Sequence, residues 1–143
     1  MGKDLQIPTK DLKMNERSFD FKGSTIFDLN FNYIGLPQKL FDEVFNLLSS
    51  YMHCYAQGFK RYCDFLGNIN ILPIIQIEPE DSDELIKIPP RLYLIQNSTS
   101  VLELLLVGTS DNEKDIDNVY VTPEYSNRII LGSPFLEYYY VIF

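Results

Sequence analysis

Tryptophan is absent from this 143-residue chain, histidine occurs once, cysteine twice, and the seven glycines are scattered. Each shortage removes a class of chemistry. One His and two Cys at these spacings cannot complete a tetrahedral zinc site. Glycines spread singly build no phosphate-cradling loop. No apolar run approaches the ~18 residues that span a bilayer, so no membrane partner is expected. The start, Met1-Gly2-Lys3-Asp4-Leu5-Gln6, holds no apolar signal region. Gln6 also stands where an N-myristoylation start wants Ser or Thr. The expected location is cytoplasmic or within a virion, without secretion by a signal peptide.

Cations are also short, and unevenly so. From Met1 to Leu66 the sequence carries eight Lys/Arg and eight Asp/Glu. From Gly67 to Phe143 it carries four against twelve, so the second half holds the whole net charge of −8. A nucleic-acid backbone would be repelled by that half, which excludes direct nucleic-acid binding through it. The excess fits solubility, a basic partner, or mimicry of a polyanion.

What is present is apolar and aromatic: 45% hydrophobic residues, with ten Phe and ten Tyr. That supports one domain over 1–143, with residues 1–17 as a possible extended arm. Period-two alternation marks Phe27, Leu29, Phe31 and Tyr33 as a half-buried strand, with Ser18–Lys22 as its possible partner. Gly35-Leu36-Pro37 then opens a helix. Apolar residues recur every seven positions at Phe41, Leu48, Tyr55 and Tyr62, with Val44, Tyr51 and Phe65 between them. This predicts one helix from Pro37 to Leu66, roughly 45 Å long, against a domain diameter near ~37 Å. Such a helix breaks or projects. Gly58, at the seam, marks a bend or a close backbone approach. Cys54 and Cys63 would lie ~13.5 Å apart along that axis, beyond the ~7 Å reach of a disulfide. They read as buried thiols of a reducing compartment.

After Asn68 the pattern turns to strands. Ile69–Ile77 alternates through Pro73. Arg91–Gln96 and Val101–Val107 form a hairpin across Asn97-Ser98-Thr99-Ser100. Val119–Thr122, Arg128–Leu131 and Phe135–Phe143 complete an antiparallel meander. The last segment is apolar on both faces, so it is either central or covered by another chain. The expected fold is therefore α+β, with one long aromatic-rich helix packed on a mainly antiparallel β-sheet.

Candidate chemistry is thin. Helical spacing would set Ser49 and Ser50 beside His53, but no carboxylate orients the imidazole, and a surface histidine is the plainer reading. The acidic runs Glu78–Glu84 and Asp111–Asp117 lack the glycine of an EF-hand loop and read as solvated loops. Phe59-Lys60-Arg61-Tyr62 mixes rings and cations as single-strand binders do, yet one quartet reads better as a helix face with snorkelling cations. Asn97-Ser98-Thr99 matches a glycosylation acceptor and, without a secretory signal, reads as a polar turn. No catalytic, cofactor or metal residue is assigned.

The resulting expectation is a non-enzymatic structural or accessory subunit of a larger assembly, joined to other protein subunits as a homo- or hetero-oligomer. Residue usage rich in Asn, Ile, Phe and Tyr suggests a phage or virus particle. Its interface would use Tyr51, Tyr55, Phe59, Tyr62, Tyr138, Tyr139, Tyr140 and Phe143. The alternative is a small acidic inhibitor or immunity-type protein blocking a basic partner site.

Overall fold

A computed structural model describes residues 6–110, 120–121 and 127–142, with the backbone alone for 120–121 and 139–142. The Asp111–Asp117 run, the first five residues, and the side chains of Tyr139, Tyr140 and Phe143 lie outside the described residues.

Two sheets carry the fold. The larger is built from β1 (Gln6–Met14), β2 (Arg17–Ser18), β3 (Gly23–Phe27), β4 (Ile34–Pro37), β7 (Ile75–Pro79), β8 (Ile86–Ile88), β11 (Leu106–Ser110), β12 (Tyr120–Val121) and β13 (Arg128–Leu131). Its order is β12-β11-β4-β13-β3-β1-β7-β8, with β2 beside β1. The sheet is mixed: β11 runs parallel to β4 and β12, and β13 parallel to β3. The smaller sheet has the order β5-β6-β10-β9, from β5 (His53–Gln57), β6 (Lys60–Asp64), β9 (Leu94–Gln96) and β10 (Val101–Leu104). Its four strands are antiparallel.

Among the described residues three α-helices pack around these sheets: α1 (Gln38–Leu48), α2 (Pro90–Tyr93) and α3 (Ser133–Ile142). Leu40, Phe41, Val44 and Leu48 of α1 share one helical face and are buried. They join Leu12, Met14, Ile34, Leu36, Ile77, Leu104, Leu106 and Leu131 in the main core. On the opposite face of the large sheet, Ile26, Val107 and Ile130 are sealed by Phe31, with Tyr33 and Phe59 packed on them. The two sheets meet at Leu105, between β10 and β11. Its N–H donates to Tyr93 O at 2.8 Å, and its carbonyl accepts from Ile34 N at 2.9 Å.

This architecture corrects the expected long helix on an antiparallel sheet. Within residues 37–66 only Gln38–Leu48 is α-helical. Ser50 Oγ donates back to Leu47 O at 2.6 Å, a hydroxyl competing for backbone acceptors at the helix end. Residues 53–64 then form the β5–β6 hairpin. Gly58, with φ of +65°, is the first of its two loop residues, where a tight hairpin turn requires glycine. Residues 28–33 form turns rather than a strand: Phe31 N donates to Asp28 O at 3.1 Å. The supposed last strand is helix α3. The supposed arm contains β1, which lies inside the sheet between β3 and β7. Ile69–Ile71 is a 3-10 turn before β7, and Arg91 falls in α2. Strand Arg128–Leu131 and the turn over residues 97–100 stand where expected.

Candidate interaction face

The register of the small sheet assigns each side chain to a face, because strand residues alternate. Cys54, Arg61, Cys63, Leu94, Leu102 and Leu104 point inward. Arg61 places its guanidinium over the stacked rings of Phe41 (5.3 Å) and Phe45 (5.4 Å). Burial pushes its pKa down from the usual arginine value. Its Nη1 donates to Gly58 O at 3.1 Å and Lys60 O at 3.2 Å, which pins the hairpin turn onto α1.

Cys54 and Cys63 are directly opposed and joined as a disulfide, with Cα atoms 4.0 Å apart. Two buried thiols on opposite helix faces are thereby replaced by one cross-strand bond. The short Cα separation identifies a non-hydrogen-bonded pair. The backbone N–H and C=O groups of Cys54 and Ala56 therefore point away from β6, toward the free edge of β5. Among the described residues β5 pairs with β6 alone.

The outward face carries one cross-strand row, Tyr55–Tyr62–Glu103–Ile95. The Tyr55 and Tyr62 rings lie 5.9 Å apart, and His53 flanks Tyr55 at 6.5 Å. Lys60 is held between Tyr62 and Tyr33, 5.9 Å from each ring centroid. Its Nζ meets Glu103 Oε2 at 2.7 Å, and that hydrogen bond raises the lysine pKa above its ordinary value. Tyr33 meets Phe59 edge-on at 5.6 Å and Phe31 at 6.1 Å. An aromatic band thus runs from His53 to Phe31, with its one cation neutralised by Glu103. Tyr55 is 37% exposed and Ile95 50%.

The structure brings together three of the eight expected interface residues, Tyr55, Phe59 and Tyr62. Tyr51 is exposed after α1 and accepts a hydrogen bond from Asn15 Nδ2. Tyr138, on α3, sits under the Arg91 guanidinium at 5.0 Å and accepts from Arg91 Nη2 at 2.8 Å. It packs against the main core, so it is a structural edge residue and not part of the band. Sequence reasoning missed Tyr33, Lys60, Glu103 and Ile95. The signal was the Phe59–Tyr62 quartet, which was assigned to the wrong element.

The helical spacing of Ser49, Ser50 and His53 is not realised: His53 is exposed on β5, while Ser49 and Ser50 close α1. Among the described residues no cluster of three or more His, Cys, Asp or Glu could hold a metal ion. Glu78 pairs with Lys13 at 3.5 Å, and Glu80, Asp81, Asp83 and Glu84 are exposed in the β7–β8 connection. No helix among the described residues is long and apolar enough to cross a membrane.

No family model matches the sequence, and no curated protein does. Solved structures do. Basic 7S globulin from soybean aligns over 92% of this chain with a TM-score of 0.68 and 14% identity. Conglutin gamma, a basic 7S globulin from lupine seeds, aligns over 91% with a TM-score of 0.66 and 15% identity. Edgp aligns over 91% with a TM-score of 0.64 and 15% identity. The chain spans about a third of the length of each (33%, 32% and 34%). At such identities the likeness is one of fold: this two-sheet chain is similar to one third of a basic 7S globulin.

Proposed function

We propose that this chain is a non-enzymatic assembly subunit that pairs with a second copy of itself along β5, with the tyrosine band beside the seam. The observation that carries the reading is an edge strand that is unpaired on one side among the described residues and bears no charge. His53-Cys54-Tyr55-Ala56-Gln57 contains no Lys, Pro or carboxylate, the devices by which edge strands usually avoid pairing. In a protein of net charge −8, a neutral strip is also where two copies repel least. Tyr55 is the middle residue of β5. A twofold axis through it would set Cys54 opposite Ala56 of the other copy, so that their free N–H and C=O groups bond reciprocally. Exposed Tyr55 stacked on half-buried Tyr62 suits such a contact, since tyrosine is apolar in body and polar at the tip.

Sedimentation of the full chain tests this. The expected result is a dimer whose strength changes little with salt, and a monomer of unchanged thermal stability for Tyr55→Lys, which sets two cations face to face across the axis. A wild-type chain that stays monomeric at high concentration overturns the reading. The acidic-inhibitor reading keeps one observation in its favour, the exposed Glu80, Asp81, Asp83 and Glu84. It requires binding to a basic protein that weakens steeply with salt and fails when those four are neutralised.

A further inference from the structure

We propose that Asn97 is an N-glycosylation site. Sequence, geometry and chemistry converge on it. Asn97-Ser98-Thr99 is the only Asn-X-Ser/Thr triplet in the sequence, and the middle residue is not proline. The triplet occupies the turn between β9 and β10, and Asn97, Ser98 and Thr99 are each exposed. The turn is held by its backbone: the N–H groups of Asn97 and Ser98 both donate to Val101 O, at 2.9 and 3.2 Å. The Asn97 side-chain amide is therefore not needed to close it.

The third observation is chemical. The same small sheet carries the Cys54–Cys63 disulfide, and disulfides persist in oxidising compartments such as the endoplasmic reticulum lumen, not in the cytosol. That is also the compartment in which asparagine receives a glycan. The acceptor triplet, weak when both cysteines were read as reduced, gains its context from their pairing.

In the transfer, Asn97 Nδ2 bonds to the anomeric carbon of a lipid-pyrophosphate-linked oligosaccharide. The bond from that carbon to the pyrophosphate oxygen breaks, its electron pair leaves on the pyrophosphate, and one amide proton is released. The turn lies at the β9 side of the sheet, and β5 is the opposite edge. A glycan there would shield exposed Ile95, two residues away, and leave β5 clear.

The test is expression of the full chain behind a secretory leader in a eukaryotic cell, reading both secreted and cell-retained protein so that retention hides nothing. The expected wild type and Thr99→Ser carry one glycan, and peptide N-glycosidase drops their mobility to that of untreated Asn97→Gln and Thr99→Ala. Peptide mass spectrometry then finds aspartate at position 97. A chain with the Cys54–Cys63 bond closed but position 97 unmodified overturns the proposal. The result is independent of the dimer, since Asn97→Gln leaves the β5 edge intact.

Discussion

Gly132 shows how much one position can decide. A Cβ built there would lie 2.2 Å from the carbonyl oxygens of both Phe31 and Tyr33. These same carbonyls accept from Ser133 N (2.7 Å) and Gly132 N (3.1 Å). The 28–33 turns are thus stitched directly to the start of α3, and neither carbonyl can withdraw without losing its bond. Gly132→Ala should cost about 3 kcal/mol or more, as overpacking against rigid backbone does. Urea denaturation would measure it, and a change under ~0.5 kcal/mol would refute the clash. Nothing in the sequence distinguished Gly132 from the other scattered glycines. A close approach between residues a hundred positions apart leaves no local pattern. Gly58 was different: its place in an apolar seam flagged it as a bend or close approach, although the element around it was wrong.

At the scale of elements, the hairpin explains the largest misreading. Around a two-residue turn, Tyr55 faces Tyr62 and Cys54 faces Cys63. A cross-strand pair seven residues apart looks in sequence like one heptad step, so Tyr55 and Tyr62 falsely extended the true helical period of Phe41 and Leu48. Helix and hairpin diverge on the cysteines: one holds them far apart, the other puts them in bonding reach. The C-terminal segment failed for a related reason. A stretch apolar on all sides has no period to read, and tertiary position decides between strand and helix. Arg128–Leu131 was legible because four apolar or long residues bounded by turn-formers have little alternative. Closing a ring of about ten residues by a disulfide contributes about 2–3 kcal/mol. Cys54→Ala/Cys63→Ala, or reduction of the wild type, should therefore lower Tm by several degrees in calorimetry. An unchanged Tm would mean the hairpin is held by Arg61 and the rings alone.

For the whole molecule, two protonated groups among the described residues respond to base. Tyr93 is fully buried, and its hydroxyl donates to Pro73 O at 2.6 Å. Burial pushes its pKa well above the ordinary tyrosine value. The Lys60 pKa is also raised, chiefly by its hydrogen bond to Glu103. Unfolded tyrosine and lysine lose their protons near ~10 and ~10.4, while the folded chain retains them. Their contribution to stability is complete below about pH 10 and drains away as pH rises toward the folded values. Denaturant midpoints should hold steady up to pH 9 and fall above 10. Tyr93→Phe, which has no proton to lose, should flatten part of that slope at a cost of about 1 kcal/mol at neutral pH. At this scale the sequence conveyed apolar content and an acidic second half. The partition into two sheets was hidden, because it rests on pairings such as β4 with β11 that join residues some seventy positions apart.

The place of β1 also matters while the chain is being made. The first described strand is hydrogen-bonded on one side to residues 23–26 and on the other to residues 75–79. During synthesis its first flank can zip almost at once, but its second must wait until residues 75–79 have left the ribosome. Until then an apolar seam bearing Leu12 and Met14, both fully buried in the finished fold, stays open to whatever meets the nascent chain.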